Sequence, residues 1–218
     1  MSSRWGPLMM VAVLVLFCGC AATEEKQKKA NGYYQQGLAD LNTDRQRSFV
    51  AFQKAIQYDP RHRDAHYSLG HLYVLQGKMK SAEEEFRETL KIDPEYAEAH
   101  HYLGEVLASQ GRWPEAIESY RRALSNPLYA TPDIAWFKLG QAFAHEGDME
   151  RAAQAFEDAR VVSPSSVPAG WLNLELGRSY YKLGYNAKAK EALSRAATLD
   201  KGGSYATEAE KLLERLKP

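Results

Sequence analysis

Residues Ala65 to Pro94 read AHYSLGHLYVLQGKMKSAEEEFRETLKIDP. Two segments with helical apolar spacing meet at Gly77, which predicts a pair of antiparallel helices with their turn at that glycine. Leu69, Gly70 and Tyr73 fall on the first segment, Ala82 and Phe86 on the second, and Pro94 closes the unit. Gly70 leaves room for the helices to approach closely. Ala82 is expected as the small residue facing it, with Tyr73 and Phe86 filling the space on either side. Gly77 can take the left-handed conformation that ends a helix, and Pro94 has no N–H with which to continue one.

The same offsets recur along the chain. One copy carries Leu103, Gly104, Ala116, Tyr120 and Ala123, with Gly111 at its turn. The next carries Trp136, Leu139, Gly140, Phe143, Gly147, Ala152, Phe156, Ala159 and Pro164. A further copy has Leu176, Gly177, Tyr180, Gly184, Ala189, Leu193 and Ala196. An earlier, degenerate copy keeps Tyr33, Gly37, Phe52, Ala55 and Pro60, but its central turn is about one residue short. These positions resemble the tetratricopeptide repeat, in which each unit is one helical hairpin that buries its apolar face only against a neighbour. The implied fold is all-α: a tetratricopeptide-repeat superhelix of paired antiparallel helices with a C-terminal capping helix.

About five repeats are expected over residues 29–203, at 29–62 (degenerate), 63–96, 97–130, 133–166 and 170–203. The equivalent glycines are Gly70, Gly104, Gly140 and Gly177, so the interval between copies lengthens along the chain. The extra residues fall in two proline-containing connections, Asn126 to Pro132 and Ser163 to Pro168, where Asp133 and Ser166 are expected as helix caps. Residues 204–218 read as a solvating cap. Tyr205, Ala209, Leu212, Leu213 and Leu216 form its apolar face, and charged residues cover the rest.

Charge is balanced, with 28 basic and 28 acidic residues interspersed along the helices. No basic stripe is present, so nucleic acid is not an expected partner. The amino terminus differs in composition. Arg4 is the only charge before an apolar run from Leu8 to Cys18, about 11 residues long. That is short for a bilayer span of about 20 residues and fits a signal-peptide core.

The run ends in Phe17-Cys18-Gly19-Cys20, followed by Ala21 and Ala22. This resembles a bacterial lipobox, with Phe17 in place of the usual Leu. The resemblance implies a signal peptide over 1–19, acylation of Cys20, and a lipidated tether over 20–28. Ala21 after the cysteine resembles lipoproteins sorted to the outer membrane of Gram-negative cells, on its periplasmic face. Both cysteines lie in this segment, so the mature chain has neither a disulfide nor a thiolate metal site.

Arrays of this type present the first helix of each pair to a concave surface. The glycine register puts Tyr67 and His71, His101 and Glu105, Phe137 and Gln141, and Leu174, Arg178 and Tyr181 on that face. Trp171 stands near the rim, and Tyr34 extends the set into the degenerate repeat. Aromatic and polar groups in this mixture suit an extended peptide or a partner helix. Several of them could equally pack between neighbouring helices. Some tetratricopeptide proteins hold a partner's terminal carboxylate through paired Lys and Asn. Here those positions carry Tyr67, His71, His101 and Glu105, so that clamp is absent. Arg178, with Lys138 nearby, could still pair with an acidic group.

His62, His66, His71, His100 and His101 cluster in the second and third repeats. Packing is the expected role of His66 and His100, and no metal site or cofactor is expected. There is no Gly-rich phosphate loop, His-Glu-x-x-His motif or nucleophile elbow, so no enzyme is expected. Glu83-Glu84-Glu85 opens a second helix, where the helix dipole favours negative charge.

The lipobox, the compact array and the connection Ser125-Asn-Pro-Leu-Tyr-Ala-Thr-Pro132 together resemble the type IV pilus biogenesis and stability lipoproteins. These pilotins help secretin subunits reach and assemble in the outer membrane. The resemblance implies a non-catalytic scaffold, anchored by lipid, whose partner is an outer-membrane secretin subunit. Alternatives on the same repeats are an adaptor for peptidoglycan enzymes and an accessory lipoprotein for outer-membrane protein assembly.

Overall fold

The computed structural model describes residues 6–216, with side chains from Thr23 onward. Cys20 and the residues assigned to the leader lie outside the part described in full. The described chain contains eleven helices and no strand. They form two compact units, residues 1–92 and 93–218. The first holds the hairpins of α1 (Gly6–Asp40) with α2 (Arg45–Tyr58), and of α3 (Arg63–Leu75) with α4 (Met79–Ile92). The second holds α5 (Ala97–Ser109) with α6 (Trp113–Ser125), α7 (Pro132–His145) with α8 (Met149–Val161), and α9 (Ala169–Lys182) with α10 (Asn186–Leu199). The cap α11 (Ser204–Arg215) packs on α10 and α9. The all-α tetratricopeptide architecture is therefore as the repeat implies.

The contact inside each hairpin differs from the sequence expectation in one respect. Gly70 faces the ring of Phe86, and not Ala82: a Cβ at Gly70 would lie 2.8 Å from Phe86 Cε1. Gly37 faces Phe52, Gly104 faces Tyr120 and Gly140 faces Phe156 in the same way, and Gly177 faces the Leu193 side chain. Each of these large side chains is buried. The glycine thus acts as a socket for a side chain from the second helix, and Ala82 is fully buried without facing it. Socket and knob keep one sequence interval throughout the four full hairpins, and in the first hairpin that interval is shorter by a single residue.

That missing residue is absorbed in the turn. In the four full hairpins the turn glycine, Gly77 for example, has φ near +75°, a region where other residues are strained. The N–H that follows it reaches back to the last turn of the helix, as Lys78 does to the Tyr73 carbonyl at 2.9 Å. The shorter 41–44 turn has no glycine. Asp44 instead caps α2, its carboxylate accepting from the N–H groups of Gln46 and Arg47 at 3.1 and 3.0 Å.

The two proline-containing connections are fixed by side chains. Asn126 donates to the Glu95 carbonyl (3.2 Å) and accepts from the Leu128 N–H (2.9 Å), which turns Tyr129 inward and leaves Leu128 88% exposed. Asp133 and Ser166 do not cap their own helices; Thr131 and Pro168 hold those places. Asp133 is instead 2% exposed, and its carboxylate accepts hydrogen bonds from the Ser166 and Val167 N–H groups. It ties the 163–168 connection to the start of α7. Asp200 does the same for the cap, accepting from the N–H groups of Tyr205 (2.9 Å) and Ala206 (3.2 Å).

Candidate functional site

Of the residues assigned to the concave face, Tyr34, Tyr67 and His71 belong to the first unit and the others to the second. In the first, Tyr34 on α1 rests against Phe52 and His62, with ring centroids 5.8 and 4.9 Å apart. Tyr67 and His71, one turn apart on α3, meet edge to face at 4.7 Å, and His71 stands edge-on to Phe86 at 5.7 Å. The ring seated on Gly70 is therefore covered by Tyr67 and His71, which stay half-buried. Both rings thus serve the packing of the hairpin.

His66 and His100 occupy equivalent places and share one task. Each ring donates from Nε2 to the carbonyl of the proline that closes the preceding unit, Pro60 at 3.1 Å and Pro94 at 2.8 Å. Their charge states differ. His66 Nδ1 also lies 2.6 Å from Glu85 Oε2, so both ring nitrogens face acceptors and the imidazolium is favoured. Burial opposes that charge, but the Glu85 and Pro60 hydrogen bonds outweigh it and raise the pKa. The residue one place before the seated ring is Ser119 in the next hairpin. Burial there lowers the His100 pKa despite the Pro94 carbonyl.

The sign for stability follows from the raised His66 value. The charged pair stabilises the fold in full below the unfolded histidine pKa of about 6.5 and loses that contribution as pH rises through the folded value. His66→Gln should therefore destabilise by about 1–2 kcal/mol at pH 5.5. The gap from wild type should narrow by pH 8.5, measured as urea midpoints at both pH values. A gap independent of pH would mean that His66 is neutral in the fold.

In the second unit three of the assigned residues are not available to a partner. His101 is 5% exposed, Phe137 1% and Leu174 3%. Each is covered by an element outside its own hairpin register. The connection supplies Tyr129 against His101 (6.0 Å), α9 supplies Trp171 against Phe137 (4.6 Å), and the cap supplies Leu212 beside Leu174. His101 is kept neutral, since burial lowers its pKa against the pull of Glu105. Trp171 in turn stacks on Tyr205 of the cap, 5.9 Å away and nearly parallel. For these residues the packing alternative is the one the structure adopts.

The others line open concavities. Glu105 on α5 forms an ion pair with Lys138 on α7 at 2.7 Å, so Lys138 is committed to that pair. This pair borders a cavity of about 320 Å³ that also takes in Trp113, Tyr120, Gln141 and His145. A second cavity, about 530 Å³, begins at the same Gln141 and His145 and continues across Arg178, Tyr181 and Lys182 to Leu212 and Arg215 of the cap. The two share Gln141 and His145 and so form one band across α5, α7, α9 and α11, with Trp113 and Tyr120 of α6 at its side. Trp113 and His145 stack at 4.0 Å with their planes 4° apart.

Sequence reasoning missed Trp113, His145, Lys182 and Arg215. Lys182 follows Arg178 by one helical turn and was legible from the register. Trp113 and Arg215 come from a second helix and from the cap, which the register of first helices leaves out.

Among the described residues, no three His, Cys, Asp or Glu side chains converge as a metal site would. No described helix is long and apolar enough to cross a membrane.

Comparison with known proteins agrees with the repeat fold. The family model described as the cilia and flagella-associated protein 70 C-terminal domain matches residues 95–205, and the tetratricopeptide-repeat model matches residues 63–126. The chain matches no curated protein sequence. Among solved structures, Pseudomonas aeruginosa PilF is similar at 23% identity and a TM-score of 0.68, over 89% of this chain and 94% of that one. PilW, described as a widely conserved type IV pilus biogenesis factor, is similar at 21% identity and a TM-score of 0.65, over 85% and 92%. YrrB, described as a tetratricopeptide protein with an unusual peptide-binding site, is similar at 24% identity and a TM-score of 0.73, over 88% and 97%. At these identities the likeness is one of fold.

Proposed function

We propose, for a chain that belongs to the family described as the cilia and flagella-associated protein 70 C-terminal domain by the match of its residues 95–205, and that carries tetratricopeptide repeats by the match of residues 63–126, that it is a non-catalytic scaffold whose second unit holds a segment of a partner protein. The observation that carries this reading is the continuous band across α5, α7, α9 and α11. Its side chains mix aromatic groups, Trp113, Tyr120, His145 and Tyr181, with charged ones, among them Arg178, Lys182 and Arg215. Such a surface binds by shape, stacking and charge.

The finer reading is a lipid-anchored pilotin. Its support is the lipobox-like segment ending at Cys20, the Asn126-Pro-Leu-Tyr129 connection with its outward Leu128, and the fold shared with PilF and PilW. Acyl chains at Cys20 would hold the scaffold at the outer membrane, and the band would capture a secretin subunit beside it. Tethering raises the local concentration of subunit at the bilayer and favours assembly over aggregation.

The test is crosslinked capture of the lipidated protein from envelopes, paired with secretin multimers in a deletion strain. Secretin among the captured proteins, with monomers abundant and multimers scarce, is the expected result. Cys20→Ser should abolish radiolabelled fatty-acid uptake. Capture of cell-wall hydrolases without secretin would point to the adaptor alternative, and general loss of outer-membrane proteins to the assembly-accessory one.

A further inference from the structure

We infer that the cavity bounded by α7, α9 and α11 receives an acidic stretch of the partner, in extended conformation, with carboxylates on alternate residues. This rests on the scaffold reading and gives it a ligand chemistry. The charged residues lining that cavity are Glu175, Arg178, Lys182 and Arg215, three cations to one carboxylate. In a chain whose total charge is zero, that excess is local. It is offset from within at Arg178 alone. Arg178 is engaged by two carboxylates, Glu175 at 2.7 Å and Glu208 of the cap at 3.4 Å. Lys182 and Arg215 form no ion pair among the described residues and face a concave surface, where field lines concentrate.

The spacing of the cations fits an extended ligand. Arg178 and Lys182 are one turn apart on α9, a rise of about 6 Å along one helix face. Alternate side chains of an extended strand repeat at about 6.6 Å, so carboxylates on alternate residues can meet both cations. Tyr181 and Leu212 give the intervening methylene groups an apolar floor. Glu208, itself 41% exposed at the side chain, then acts as an internal competitor for one Arg178 nitrogen. A carboxylate that the cap supplies in the free protein is one that the ligand can replace.

Fluorescence anisotropy on the full chain in detergent tests this, with a fluorescein-labelled decapeptide of alternating glutamate and alanine. The control is the same peptide with glutamine for glutamate. The acidic peptide should bind about tenfold more tightly at about 50 mM salt, with the difference shrinking at about 300 mM. Lys182→Gln with Arg215→Gln should bring the two peptides within about twofold of one another. Glu208→Gln should tighten the acidic peptide by about twofold by releasing the terminal Arg178 nitrogen that Glu175 does not hold. Far-ultraviolet circular dichroism establishes that each variant remains folded.

Equal binding of both peptides would overturn the acidic specificity and leave the scaffold reading standing. Acidic preference unchanged in the Lys182 and Arg215 variant would overturn the location. If neither peptide binds, the inference fails. If envelope capture also returns no partner, the scaffold reading fails with it.

Discussion

Gly140→Leu should destabilise the second unit by about 3 kcal/mol, and Gly140→Ala by about 1–2 kcal/mol once the better helix propensity of alanine is counted. The reason is geometric. A Cβ at Gly140 would stand 2.6 Å from Phe156 Cε1, and that ring is fully buried, so it cannot swing aside. Two other glycines are controls. Gly32 has nothing within 4 Å of a built Cβ, and Gly32→Ala should stabilise by up to about 1 kcal/mol. Gly77 also has space, but its φ of 71° makes Gly77→Ala unfavourable by about 1 kcal/mol through backbone strain alone. Urea midpoints rank the three. Combining Gly140→Ala with Phe156→Leu should cost less than the sum of the two changes, because each relieves the other. Strict additivity would mean that the ring and the glycine do not meet.

Asp133→Ala should lower stability by about 1–2 kcal/mol, since it removes the acceptor of the Ser166 N–H and leaves the buried Val167 N–H with the Ser165 hydroxyl alone. Asp133→Asn keeps the shape and one acceptor oxygen but loses the charge, and should recover about half of the loss. Hydrogen exchange gives the local readout. Ser166 and Val167 should lose protection in the alanine variant while α10 keeps its own. Protection at Ser166 persisting in Asp133→Ala would assign the fixing of this connection to something other than the carboxylate.

The hairpins were legible because their determinants are local. Gly70 and Phe86 lie within a single repeat, and the same pair recurs at 104 and 120 and at 140 and 156. What faced Gly70 was misread because offsets along a sequence do not say which of two nearby side chains crosses the interface. Alanine can sit beside a glycine, but a large side chain seated on the helix, a ring in four hairpins and Leu193 in the fifth, needs one. Asp133 was misread for a related reason. Its position at the start of α7 suggests a cap, yet its partners Ser166 and Val167 lie at the far end of the same hairpin, in a connection that sequence alone does not fold back.

The site was legible in part. Gln141, Arg178 and Tyr181 follow from the helix register and do face the band. His101, Phe137 and Leu174 obey the same register and are buried. What covers them is Tyr129, Trp171 and Leu212, contributed by a connection, the next hairpin and the cap. Exposure depends on what comes to lie on top of a residue, and a periodic pattern fixes only the side of the helix from which it emerges.

The constant interval between each full-length socket and its knob sets a rule for how such a chain can change length. Inside a hairpin, one residue gained or lost must be matched by a rebuilt turn, as Asp44 shows where Gly37 and Phe52 stand closer in sequence. Between hairpins no ring has to find a glycine, and there the spacing drifts upward from Gly70 through Gly104 and Gly140 to Gly177. Insertions, tags or grafted loops should thus be accepted near Leu128 and rejected near Gly147, although both places lie on the outside of the protein.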